Sequence, residues 1–408
     1  MQRFIALIGL LALCGCYDSS NSRHEDDAAD APDAEDTVQD DARQDEIPPD
    51  VAPDTAPPDI VPDTPPDVAP DGPPPGPYVL HEWGVISRGE WGTGTHGPSP
   101  EGIGDTVDKP VIYLYTDDGM DSLDIKVSFA TGLADETWPM LPAGPVLDWS
   151  DLRVSRGPCE ASPFPYPWEE PMCEICNLGS CVVEDADCIT FSSGDGVETT
   201  SKLLFYAGPV EDYTPPLKGE ALFPLTDDDG APVEMVLSND SDWEIEDIWL
   251  VYREAQGNCP EPWFECPVTS ALLAYTFIDS IPARGDWASE LSVEFYEAPL
   301  DPEGNPTGEL PLPEEWLEMD KKLHEKLVER GLTEAESAAF VGNWVQAFFG
   351  LLGGNSYYVE PLYANGAFAI YFMDSEDYDL QFRLEAEPQP RQAVRVGMIY
   401  DKLPAYNE

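Results

Sequence analysis

A chain cannot fold where it has nothing to bury, and residues 17–78 of this one carry 14 prolines, 18 acidic residues and only two basic ones, Arg23 and Arg43. Almost no large apolar side chain lies among them, so burial cannot offset the entropy of ordering the backbone. Within this stretch Pro-Asp recurs at 49–50, 53–54, 58–59, 62–63, 66–67 and 70–71. Proline sets φ near the polyproline II value and the aspartates repel one another, so both favour extension. At about 3.1 Å per residue, 48–77 reaches on the order of 90 Å. The segment reads as an extended spacer or as a passive linker, and the folded body begins near residue 79.

Ahead of the spacer stands a basic start, Met1-Gln-Arg3, and an apolar run from Phe4 to Cys16. That run has 13 residues, short of the roughly 18–20 a membrane span needs. Its end, Leu13-Cys14-Gly15-Cys16, resembles the cleavage site of bacterial lipoprotein signal peptides; the competing Leu11-Ala12-Leu13-Cys14 puts a bulky Leu where a small residue belongs. The resemblance implies removal of 1–15, a diacylglyceryl thioether on Cys16, and a lipid-anchored stalk over 16–78. Two or more acyl chains anchor stably where one does not. Tyr17 in place of Asp after the lipidated cysteine implies sorting to the outer membrane, on its periplasmic side or at the cell surface.

Beyond the spacer, residues 79–408 hold 62 acidic and 17 basic residues, a net charge of −45. Nucleic-acid binding needs cationic surface that displaces counterions from phosphate, so it is excluded as a function class. Dense carboxylates suit a surface bathed in salt, where screening acts over a few ångströms. They also suit Ca²⁺, the one ion suggested by Thr116-Asp-Asp-Gly-Met-Asp121 and Thr226-Asp-Asp-Asp-Gly230. Neither loop has EF-hand spacing, and Asp-Gly is also a common hairpin turn. No cofactor is otherwise expected. Carboxylate pairs identify no glycosidase here, because with so many acids a pair arises anywhere.

The body reads as α+β: a β-rich, antiparallel, sandwich-like domain over 79–310 with a Cys-rich insert at 157–188, then a helical hairpin near 314–349 and a C-terminal β segment within 311–408. Pro110–Thr116 is a continuous β-prone run, and Leu123, Ile125, Val127 and Phe129 alternate with polar neighbours. Further strands are expected at 202–206, 233–238, 247–253, 271–277 and 291–296, then at 357–362, 367–373, 379–385 and 393–400. The turn Ser238–Trp243 looks like that of a sandwich hairpin. For the helices, 314–330 places Leu317, Leu323 and Leu327 on one side with Gly331 as C-terminal cap, and Thr333-Glu-Ala-Glu336 is a capping box that opens a second helix with Trp344, Val345 and Phe348 inward. The second part is expected to pack with the first.

Seven cysteines follow Cys16: Cys159, Cys173, Cys176, Cys181, Cys188, Cys259 and Cys266. Outside the cytoplasm disulfides are the expected state. Cys259 and Cys266 close a short loop, and the five in the insert are expected to form two bridges with one thiol left. The run Cys173-x2-Cys176-x4-Cys181-x6-Cys188 also has the ligand types for zinc or an iron–sulfur cluster, and Cys173-x2-Cys176 matches a redox pair without the usual βαβ setting.

Three histidines lie in the body. His324 reads as a surface helix residue. His81 and His96, with Glu82, Glu90 and Asp105, fall in a Gly-rich region that could gather them round a metal or an acid–base centre. Their spacing matches no His-Glu-x-x-His motif, and the plainer reading is a strand with Trp83 buried and His96 in a solvent loop. No nucleophile elbow, P-loop or dinucleotide fingerprint appears. Exposed Trp and Tyr with acidic neighbours would suit glycan stacking.

Leu80-His-Glu-Trp-Gly84, Lys109-Pro-Val-Ile-Tyr-Leu-Tyr115, the stretch Gly331–Trp344 and Val394-Arg-Val-Gly397 resemble a set of uncharacterised secreted bacterial proteins. The resemblance implies one coherent body and no activity. The expectation is a membrane-anchored extracytoplasmic lipoprotein with a non-enzymatic binding or envelope-structural role, its partner classes being the membrane through the anchor and a glycan or envelope protein. The alternative is a metal-dependent extracytoplasmic hydrolase built on His81, Glu82 and His96.

Overall fold

Gly366-Ala-Phe-Ala-Ile-Tyr-Phe372 shows how the sequence makes its core: Ala367, Ala369 and Tyr371 pack to one side and Phe368, Ile370 and Phe372 to the other. A strand apolar on both faces must lie inside a layered structure. In the computed structural model it is β15, the fourth strand of a nine-stranded sheet. The structure describes residues 76–88, 105–157, 159–164, 179–194, 196–210, 213–223, 232–257, 268–302, 311–349 and 366–407. All belong to one compact unit, Ala69–Glu408.

The large sheet runs β14 (Glu294–Glu297), β12 (Val268–Ile281), β11 (Ile245–Gly257), β15, β17 (Gln392–Leu403), β1 (Tyr78–Arg88), β2 (Asp105–Thr116), β8 (Leu204–Val210) and β4 (Glu136–Trp138). Every pairing in it is antiparallel except β1 with β17. Two smaller sheets lie against one face. One has β13 (Asp286–Leu291), β10 (Val233–Asn239), β9 (Leu217–Phe223) and β18 (Ala405–Asn407); the other has β16 (Phe382–Glu387), β3 (Met120–Phe129), β5 (Val146–Ser155), β6 (Cys188–Ser192) and β7 (Glu198–Ser201). The alternation of Leu123, Ile125, Val127 and Phe129 buries that face of β3 in the shared core. The fold is thus a β-rich α+β structure with largely antiparallel sheets. Because β15 and β17 lie between β11 and β1, the segments before and after residue 310 share one sheet.

The opposite face of the large sheet carries the helices α1 (Glu314–Leu317), α2 (Met319–Glu329) and α3 (Glu334–Phe349). Trp316, Leu323, Leu327, Phe340, Trp344 and Phe348 bury against Trp83, Trp249, Phe372 and Tyr400. The end of α2 follows its sequence signal: Gly331 has φ +100°, Gly331 N–H donates to Val328 O, and Leu332 N–H donates to Leu327 O while its side chain is buried. This is the Schellman geometry. At the start of α3, Thr333 N–H donates to Glu336 Oε2 (2.7 Å) and Glu336 N–H to Thr333 Oγ1 (3.2 Å), the capping box. The far end of α3 is closed by the buried Arg253 of β11, which donates to the carbonyls of Phe348 and Ala347 and places positive charge where the helix dipole is negative.

Four expectations change. The helix expected over 314–330 breaks at Glu318, which shifts the phase so that Trp316 is buried and Leu317 is 49% exposed. The strand expected over 379–385 begins as a helix, α4 (Ser375–Gln381), because Asp374 accepts from Glu376 N–H (2.8 Å) and Asp377 N–H (3.4 Å) as its N-cap. The stretch 291–296 divides between β13 and β14. The turn 238–243 is no hairpin: it carries the chain from β10 in a small sheet to β11 in the large one. Asn239 holds it by donating from Nδ2 to the carbonyls of Trp243 (2.8 Å), Ile281 (3.1 Å) and Pro282 (3.1 Å). The strand expected at 357–362 lies outside the described residues.

Candidate functional site

His81 and Glu82 are consecutive residues of β1, and consecutive side chains of a strand leave on opposite faces. His81 faces the helical layer. Its Nδ1–H donates to Glu336 Oε2 (2.8 Å) and lies 3.1 Å from Oε1, the carboxylate having only acceptors to offer. Tyr115 Oη donates to Glu336 Oε1 (2.6 Å), and its ring centroid is 5.2 Å from that of His81. The Glu336 side chain is wholly buried and that of His81 is 9% exposed. Burial, reinforced by the Glu336 carboxylate, holds the Tyr115 hydroxyl well above its usual pKa, so it stays a donor. One carboxylate therefore caps α3, fixes the His81 ring and gathers Tyr115 from β2, tying the turn between α2 and α3 to the sheet.

Such a histidine–carboxylate pair orients an imidazole for proton transfer or metal binding through Nε2. In either use the group that approaches that nitrogen to within about 3 Å is a substrate proton or a metal ion. Among the described residues no hydroxyl, thiol or carboxylate hydrogen-bonds to it, and no three His, Cys, Asp or Glu residues cluster as a metal ion would require. What the contacts do show is that the cluster ties the start of α3 to β1 and β2. Glu336→Gln is expected to lower unfolding stability by about 2 kcal/mol, since hydrogen bonds to a charged group are worth more than neutral ones. Urea denaturation reads this, and an unchanged midpoint would assign the docking of the hairpin to apolar packing alone.

Glu82 faces the smaller sheets and is likewise wholly buried. Its Oε1 accepts from Tyr206 Oη (2.5 Å) of β8 and Tyr378 Oη (3.2 Å) of α4, and its Oε2 accepts from Arg395 Nε (2.5 Å) of β17. Arg395 also donates to Asp379 and to Phe382 O (2.7 Å), and its guanidinium lies 4.8 Å from the Tyr378 ring centroid. Burial pushes the Tyr206 and Tyr378 hydroxyls well above their usual range, and the Glu82 carboxylate adds to this. For Arg395 burial acts downward, but the attraction of Glu82 outweighs it and the guanidinium is held still more firmly charged. Gly397 of β17, the pairing partner of Gly84 in β1, leaves the room Tyr378 occupies: a Cβ there would meet Tyr378 Cδ2.

The structure thus does not bring His81 and Glu82 into one site. His96 lies outside the described residues, as do Glu90, Cys16, the stalk as far as residue 75, Cys173, Cys176, Cys259, Cys266 and the loop 226–230; the expected stalk boundary at 78 moves back, since Tyr78 is the buried first residue of β1. His324 is on the exposed side of α2 and pairs with Glu334 (2.7 Å). Cys159 and Cys188 form a disulfide with Cα atoms 5.4 Å apart, so the Cys188 thiolate is not available to a four-cysteine metal set. Cys181 is buried against the helical layer, and its carbonyl accepts from Tyr113 Oη (2.6 Å). Lys202 Nζ stitches the insert down by donating to the carbonyls of Glu184 (2.9 Å) and Ala186 (2.5 Å). The 116–121 loop is the β2–β3 turn: Gly119 has φ +84°, its N–H donates to Thr116 Oγ1 (2.9 Å), and Asp117 pairs with Arg391 (2.7 Å). Among the described tryptophans all are buried or half-buried, and Trp91, Trp168 and Trp263 lie outside the described residues.

The residues that complete both clusters escaped the sequence reading in different degrees. Glu336 was visible as a helix cap, not as a partner of His81. Tyr115 and Arg395 stand in the motifs Lys109–Tyr115 and Val394–Gly397, which say nothing of their partners, and Tyr206 and Tyr378 carry no signal, since each meets its partner through sheet pairing or layer packing.

No helix among the described residues is long and apolar enough to cross a membrane. Neither a protein-family model nor a curated protein matches the chain. Among solved structures it is similar, at 9% identity and a TM-score of 0.28, to the yeast delta-COP-I mu-homology domain, over 83% of this chain and 100% of that one. The same domain complexed with the Dsl1 WxWxV peptide gives 10% identity and 0.28, over 81% and 98%. A bacterial ice-binding adhesin gives 10% identity and 0.11, over 57% and 62%. TM-scores at this level identify no shared fold and bear on neither ligand nor partner.

Proposed function

We propose that the chain is a lipid-anchored protein of the bacterial cell envelope, tethered at Cys16, whose folded body binds a partner or serves the envelope structurally rather than catalysing a reaction. The observation that supports this most is the Cys159–Cys188 disulfide downstream of Leu13-Cys14-Gly15-Cys16: disulfides persist in oxidising compartments, where a lipoprotein signal would deliver the chain. The use of His81 and Glu82 as struts on opposite faces of β1 supports the non-catalytic half of the reading. The acidic stalk, which ends ahead of β1, is the tether, and the membrane contact is made by lipid.

Labelling with radioactive palmitate in a bacterial host that processes lipoproteins tests this. Wild type and Cys14→Ser are expected to take up label and Cys16→Ser to lose it. Label retained by Cys16→Ser, or absent from wild type, would overturn the anchor.

A further inference from the structure

We draw no further inference here: the strongest candidate, the end of the nine-stranded sheet at Arg88, Asp105, Val268 and Gly366 where the aromatic-bearing connections 89–104, 258–267 and 350–365 attach, rests on segments outside the described residues, and nothing in the structure shows what surface they form.

Discussion

Glu82→Gln is expected to cost about 3–5 kcal/mol of unfolding free energy, the range for breaking a buried ion pair from one side. The wild-type carboxylate has no solvent exposure and Arg395 has 9%. Without the charge, the anionic partner left to the guanidinium is Asp379, whose side chain is 62% exposed, and its remaining contacts are neutral: the Phe382 carbonyl, the Tyr378 ring and the new amide oxygen. The cost is then mainly that of a buried cation with too little compensation, rather than of one lost hydrogen bond. A double variant, Glu82→Met with Arg395→Met, is therefore expected to be less destabilised than Glu82→Gln alone, since it removes the stranded charge together with its partner. Urea denaturation of the three proteins reads both effects. A Glu82→Gln protein as stable as the parent would mean that water or rearrangement satisfies Arg395, and the network would not be the strut that its geometry describes.

Removing the disulfide through Cys159→Ala with Cys188→Ala is expected to cost about 3–4 kcal/mol, from the chain entropy that a loop of this size restores to the unfolded state. The two cysteines are 29 residues apart. Cys188 begins β6, and across β5 the pairing Ser155↔Cys188 holds that end of the five-stranded sheet. Tyr113 Oη to Cys181 O, Lys202 to the Glu184 and Ala186 carbonyls, and Thr116 N–H to Asp187 Oδ2 (2.6 Å) keep the later part of the insert in place without the bridge. The loss should thus appear as a lower midpoint with the cooperative transition retained. Equal stability of the oxidised parent and the double variant would contradict it, and so would purification of the parent with Cys159 and Cys188 both reduced.

How much of this was legible depended on how far apart the interacting residues sit in the chain. Gly331 with Leu332, and Thr333 with Glu336, act within a few residues, and the sequence signals there match the geometry. The β15 run is apolar throughout, which points to burial on both faces but not to its place between β11 and β17. Local signals misled where two competed: Leu317 fits a helical stripe, yet the break at Glu318 lets the larger Trp316 take the core position. The helix capped by Asp374 is missed because Tyr378, Leu380, Phe382 and Leu384 alternate at strand period. The Glu82 network joins residues 124, 296 and 313 positions apart, and no periodicity reports such contacts. The separation of His81 from Glu82 was nonetheless implicit, because any strand through Leu80-His-Glu-Trp puts the two side chains on opposite sides.

The independence of the His81 and Glu82 clusters is open to direct measurement. A double-mutant cycle on His81→Gln and Glu82→Gln, with unfolding free energies from urea titration of each single variant, the double variant and the parent, tests it directly. Side chains on opposite faces of β1 with no shared partner should give additive losses, within about 0.5 kcal/mol. A coupling above about 1 kcal/mol would mean that the two clusters act as one unit and would contradict their assignment as separate struts.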